Sequence, residues 1–160
     1  MKKIRGLFFV LALALALTFT SCSSAGEGVK KTDKTAAELV DTVLNSVDFP
    51  QTVEINDEGR FEEMGLDLSL TEDYAAVQQM LSVDVVEVII LKAKDGETEK
   101  LVEQLRARKD SLINDFAFYP EQVESANATE VGSEGNIAYL ICHADAQTAA
   151  EKLIEEIKAE

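Results

Sequence analysis

The chain predicts an α+β domain: a four-stranded, mainly antiparallel sheet with helices packed against it, in the order α-ββα-ββα. Three observations carry this. Val85-Val86-Glu87-Val88-Ile89-Ile90-Leu91 is β-branched and apolar in both alternation phases, the pattern of a strand covered on both faces. Directly after it, Leu101, Val102, Leu105, Leu112, Ile113 and Phe116 form one apolar stripe at helical spacing. The pairing of strand and helix then recurs, because Lys100-Leu101-Val102-Glu103-Gln104-Leu105-Arg106-Ala107 is echoed by Lys152-Leu153-Ile154-Glu155-Glu156-Ile157-Lys158-Ala159. Two hairpin-plus-helix units are implied, although any two amphipathic helices that follow strands share such a composition.

Met1 to Ser21 has the parts of a secretory signal: Lys2, Lys3 and Arg5, an apolar run from Leu7 to Leu17, then small and hydroxylated residues. Phe19-Thr20-Ser21-Cys22 resembles the bacterial lipobox, with Phe19 where Leu is usual, so Cys22 is expected to carry lipid and become the new N-terminus. Two acyl chains there would hold the protein to a membrane, since each buried methylene contributes about 0.8 kcal/mol. Ser23 to Lys34 lacks apolar periodicity, so residues 22–32 read as a tether and 33–160 as one domain.

Losing the signal removes three of the 15 Lys and Arg and none of the 30 Asp and Glu, which takes the formal net charge from −15 to −18. So acidic a chain is a poor partner for nucleic acid. With Cys22 lipidated, Cys142 has no partner for an intrachain disulfide, and the core must hold without one.

Thr35 to Val47 predicts the first helix, with Asp33 or Thr35 as its cap and Phe49-Pro50 as its stop. The acidic stretch from Val53 to Asp73 is broken by Gly59 and Gly65 and predicts a short helix around Glu58 to Met64 inside irregular structure. Glu72 to Leu81 reads as a strand because no break precedes Val85, although Tyr74, Val77, Met80 and Leu81 also fit helical spacing. The long helix is expected to begin after Asp95-Gly96, with Asp95 available as its cap, and to run to Phe116. Tyr119-Pro120 starts a short helical turn through Ser125. Ala128 to Val131 and Asn136 to His143 predict a hairpin joined by Gly132-Ser133-Glu134-Gly135, and Ala146 to Ala159 a final helix capped by Asp145. The first helix is expected on the sheet face opposite the later two.

Phe49-Pro50 with its acidic sequel, Glu87 leading Val88 to Asp95, Phe116 with Tyr119-Pro120, and Gly135-Asn136 opening a strand together resemble a domain-of-unknown-function family of lipoproteins from clostridial and related Gram-positive bacteria. One departure is visible: the family places an aromatic directly after Gly-Asn, where this chain has Ile137 and then Tyr139. The resemblance implies a lipid-anchored extracytoplasmic protein, on the outer face of the cytoplasmic membrane, and no known activity.

No catalytic motif stands out. Cys142 and His143 are the free thiol and the only imidazole, and as strand neighbours they point to opposite faces, which argues against a zinc site or a Cys-His pair. Asp57-Glu58 and Glu62-Glu63 are pairs that 30 acids produce by chance. No cofactor is implied. The uneven feature is basic: Lys92, Lys94, Lys100, Arg106, Arg108 and Lys109 crowd one span, while Glu54 to Asp73 holds eight acids and Arg60. Attraction between these regions is the simpler account. The other is a surface of Lys92, Lys94, Arg106, Arg108 and Lys109 that meets an anionic wall polymer, a lipid head group or a protein partner. Lys109 falls on the apolar stripe of its helix and is expected to pair with a carboxylate of the acidic segment. A binding or interaction module is therefore the expectation, ahead of a structural subunit of an envelope assembly and of a surface enzyme. A binder should show an open patch and an enzyme a pocket with converging polar groups.

Overall fold

In the computed structural model, described for residues 31–81 and 85–159, one antiparallel sheet separates two layers of helix. The helices are α1 (Ala36–Leu44), α2 (Glu58–Glu63), α3 (Thr98–Ser111), α4 (Pro120–Ala128) and α5 (Ala146–Lys158). The strands are β1 (Thr52–Glu54), β2 (Thr71–Gln79), β3 (Glu87–Ala93), β4 (Glu130–Glu134) and β5 (Ile137–Cys142), in the spatial order β1-β2-β3-β5-β4. The expected signal segment, Cys22 and the expected tether up to residue 30 lie outside the described residues.

β3 is the middle strand, as its two-phase apolar pattern requires. Ile89, Leu91 and Ala93 pack with Leu101, Val102 and Leu105 of α3, Ala126 of α4 and Phe61 of α2. Val88 and Ile90 point the other way, into a second core with Leu39, Val40 and Val43 of α1 and Ala149, Leu153 and Ile157 of α5. The first helix starts where Thr35 and Glu38 form a reciprocal capping box. Glu72 to Leu81 resolves to strand, because β2 pairs with β3 from Thr71↔Ala93 to Gln78↔Glu87 and that ladder outweighs the helical spacing of four side chains.

Several expectations are corrected. The sheet has five strands, since Thr52–Glu54, which runs into the segment read as irregular from Val53, pairs with Val77 to Gln79 at the edge. Three residues are too few to show alternation. Asp95 does not cap the long helix: Glu97 occupies that position without a side-chain capping bond, and Asp95 instead pairs with Lys31 at 2.7 Å. That helix is α-helical only to Ser111, then widens into a π turn over Leu112–Phe116 that rotates Phe116 off the stripe and leaves it 48% exposed. The β4–β5 hairpin turns at Gly135-Asn136, with Glu134 opposite Ile137 and a φ of 57° at Gly135, so Gly132 and Ser133 belong to the strand.

The largest correction concerns the faces. α5 lies beside α1, and α3 with α4 occupies the opposite side. β3 and β4 both run antiparallel to β5, so they are parallel to each other, and α3 and α4 form the crossover between them. Crossover handedness fixes the face of that connection. α5 closes no crossover and is free to cover the apolar surface that α1 leaves open. The two hairpins are related by a twofold normal to the sheet, which would put both following helices on one side. The echo in sequence therefore does not extend to the packing.

Candidate interaction surface

The sheet has two ends of different chemistry. At one, Lys31 pairs with Glu72 at 3.1 Å and Asp95 at 2.7 Å, the Thr32 N–H donates to Asn136 Oδ1 at 3.3 Å, and the Ala36 N–H donates to Asp73 Oδ2 at 2.7 Å. The chain thus enters the domain beside the start of β2, the end of β3 and the β4–β5 turn. At the far end lie the close of β2, the start of β3, the π turn and the start of α4. There Phe118 is 76% exposed, Tyr119 66%, Leu81 63% and Met80 50%, with Phe116 and Val123 also exposed. Val53, on β1 opposite Gln78, continues the patch along the sheet edge.

Local chemistry holds the aromatics out. Pro120 starts α4, and the buried Gln122 accepts from the N–H groups of Phe118 at 2.9 Å and Tyr119 at 3.2 Å. The turn is fixed from inside by a side chain, so its two aromatics project into solvent. Next to it a groove is lined by Gln78, Val85, Val86, Glu87, Arg108 and Phe116 among others. In it Arg108 and Glu87 form a two-point ion pair, and the Arg108 guanidinium sits 5.2 Å from the centre of the Phe116 ring. The groove contains amides and a neutralised ion pair rather than a nucleophile beside a base.

The sequence-predicted cations are spread over the domain. The Lys92 ammonium donates to the Lys34 carbonyl at 3.2 Å, and that of Lys94 to the Ser69 carbonyl at 2.6 Å. Arg106 is exposed on α3, Arg108 is buried against Glu87, and Lys109 donates to the Thr129 carbonyl. Of these partners only the Ser69 carbonyl lies in the acidic segment, and it is a backbone group. The expected pairing of Lys109 with a carboxylate of Glu54 to Asp73 is corrected: α3 carries Lys109 to the far end, next to the start of β4. What sequence reasoning missed is Glu87 with Arg108. A signal existed, since a carboxylate inside an otherwise apolar central strand requires a buried partner.

Cys142 is fully buried, and its thiol donates weakly to the Ser125 carbonyl at 3.6 Å. The His143 ring packs on Phe49 at a tilt of 36° with ring centres 4.5 Å apart, and its Nδ1 accepts from the Asp145 N–H at 3.0 Å. Neighbouring carboxylates serve local structure: Asp57 caps Gly59, Glu58 accepts from the Tyr74 hydroxyl, and Glu63 pairs with Arg60. Asp67 accepts from Ser69, which holds its carboxyl below the ordinary range.

A family described as "Domain of unknown function (DUF4358)" matches residues 45–143. The matched span holds all five strands and the α3–α4 face, and leaves α1 and α5 outside it. No curated protein and no solved structure matches the chain.

Proposed function

We propose, from the premise that the chain belongs to the DUF4358 family, that it is a lipid-anchored extracytoplasmic binding module of a clostridial or related Gram-positive envelope. Cys22 carries the lipid, residues 22–32 are the tether, and 33–160 is the domain that meets a partner outside the cytoplasmic membrane. The single observation that supports binding over catalysis is the open apolar patch of Phe116, Phe118, Tyr119, Val123, Met80 and Leu81 at one end of the sheet. Large exposed apolar side chains gathered in one place are a liability for a monomer unless something covers them. Anchoring is supported by the lipobox-like Phe19-Thr20-Ser21-Cys22.

The test is metabolic labelling with an alkyne palmitate analogue in cells that make the full chain, followed by fractionation. The wild type should label and sediment with membranes, whereas Cys22→Ala should do neither. Labelling that persists in Cys22→Ala would overturn the anchor assignment.

A further inference from the structure

We propose that the far end of the sheet docks a protein segment with an apolar or aromatic centre flanked by lysine or arginine. This rests on the binding-module reading above and names the partner of that surface.

Asp115, Glu121 and Glu124 neighbour Phe118, Tyr119 and Val123 in the chain, Asp48 lines one groove with Glu121 and Glu124, and all four carboxylates are exposed. The two arginines of the neighbouring groove are already matched, Arg108 by Glu87 and Arg60 by Glu63. The rim is therefore acidic around an apolar centre, and the complement is apolar with a basic surround.

Three other occupants fit less well. A second copy would bring two chains of formal charge −18, once the signal is lost, together through matching acidic rims. A nucleic acid meets the same repulsion. A lipid surface is disfavoured by charge and by place. The chain enters the domain at Lys31 and Thr32, and nine residues back to Cys22 reach at most about 30 Å when fully extended. The near end is thus the one held closest to a bilayer. For the far end to touch lipid the domain would have to turn over and press its acidic rim onto anionic head groups.

The patch is also built to hold its shape. Gln122 fixes the turn that presents Phe118 and Tyr119, and Arg108, clamped by Glu87, supports the Phe116 ring from below. Aromatic anchors presented in advance lose little freedom on binding.

The experiment places photoreactive benzoylphenylalanine at Phe118, and separately at the exposed near-end residue Ser133, in the full chain in its own cells. The cross-linked peptide is then sequenced by mass spectrometry. We expect adducts at position 118 at least ten-fold above position 133, on a peptide with apolar residues and adjoining lysines or arginines. Glu121→Lys with Glu124→Lys, both exposed positions, should cut the yield at least ten-fold with the circular dichroism spectrum unchanged. Adducts to acyl chains, to the chain's own sequence, or to peptides without basic residues overturn the proposal, as does equal yield at both positions. Palmitate labelling of the same cells separates the two readings. A basic, apolar peptide captured by a chain that carries no lipid supports the partner and refutes the anchor.

Discussion

Glu87 and Arg108 meet through two parallel hydrogen bonds, Nε to Oε1 at 3.0 Å and Nη2 to Oε2 at 2.7 Å, joining the central strand to the last turns of α3. Their side chains are only 4% and 10% exposed. Truncating one partner strands a buried charge, which costs about 3–5 kcal/mol, whereas replacing both with apolar groups of similar size is often neutral. Arg108→Met and Glu87→Leu should each lower the denaturation midpoint strongly, and the double variant should recover most of the loss. A double variant as unstable as the sum of the singles would show that the two side chains act independently. Because Phe116 rests on Arg108, the double variant should also loosen the π turn, read as faster amide exchange over Leu112 to Ala117.

Gly132 lies directly opposite Tyr139 across the β4–β5 ladder, and a Cβ placed on it would fall 2.5 Å from the Tyr139 hydroxyl and 2.8 Å from its Cζ. The strand thus makes room for the Tyr139 ring by omitting a side chain. Gly132→Ala should destabilise by about 1–3 kcal/mol, the range for overpacking a tight site. Adding Tyr139→Ala should make the alanine at 132 nearly neutral in a denaturant titration. Equal cost in both backgrounds would mean that the ring is not what the glycine accommodates.

How much of this was legible follows from which signals are local. The strand at Val85 to Leu91, the helix after Thr35 and the short helix at Glu58 to Glu63 were readable because periodicity and caps lie within a few residues. β1 was not, since three residues alternate too briefly to be distinguished from a loop. The role of Gly132 was hidden because a turn glycine and a glycine making room for a ring look alike until the strand register is known. The face of α5 depends on the crossover between β3 and β4, a relation among distant elements. The far-end patch was half visible: Phe116 and Tyr119-Pro120 carried the family resemblance, but only the fold brings Met80 and Leu81 to the same end. The crowding of cations in sequence did not translate into a cluster, because a strand and a helix carry them to different ends.

Lys109 donates to the carbonyl of the buried Thr129, the residue at which α4 gives way to β4. Removing the donor leaves that carbonyl without this bond, at a cost of about 1–3 kcal/mol. Lys109→Met keeps the apolar stem and loses the ammonium. Amide exchange should accelerate at Thr129 to Val131 and stay unchanged between Glu54 and Asp73. Acceleration in the acidic segment instead would restore the carboxylate pairing that the structure replaces.

Cys142 should react slowly with a thiol reagent in the native protein and rapidly once denatured, because its sulfur is enclosed between β5 and α4. Its rate should follow global unfolding: Gly132→Ala should speed it by the same factor by which it raises the unfolded fraction. Rapid modification without any change in stability would place the thiol on a locally opening edge.

The last prediction concerns alkaline pH. Burial in the second core, and then the negative charges of Glu130 and Glu134, push the Tyr139 hydroxyl above its ordinary value. In the unfolded chain the phenol ionises near pH 10, whereas in the fold it holds its proton to higher pH. The unfolded state therefore loses protons first. The contribution of this group to stability is complete below the unfolded value and is lost as pH rises through the folded one. Tyr139→Phe should flatten the fall in stability above about pH 10. Tyr74 is shifted the same way, mainly by its hydrogen bond to Glu58, and Tyr74→Phe serves as the comparison at an exposed hydroxyl. Solvent screens that pair, so the effect at Tyr74 should be the smaller of the two. Denaturant midpoints measured from neutral to strongly alkaline pH decide it. An unchanged alkaline limb in Tyr139→Phe would assign the loss to general charge repulsion in a strongly acidic chain.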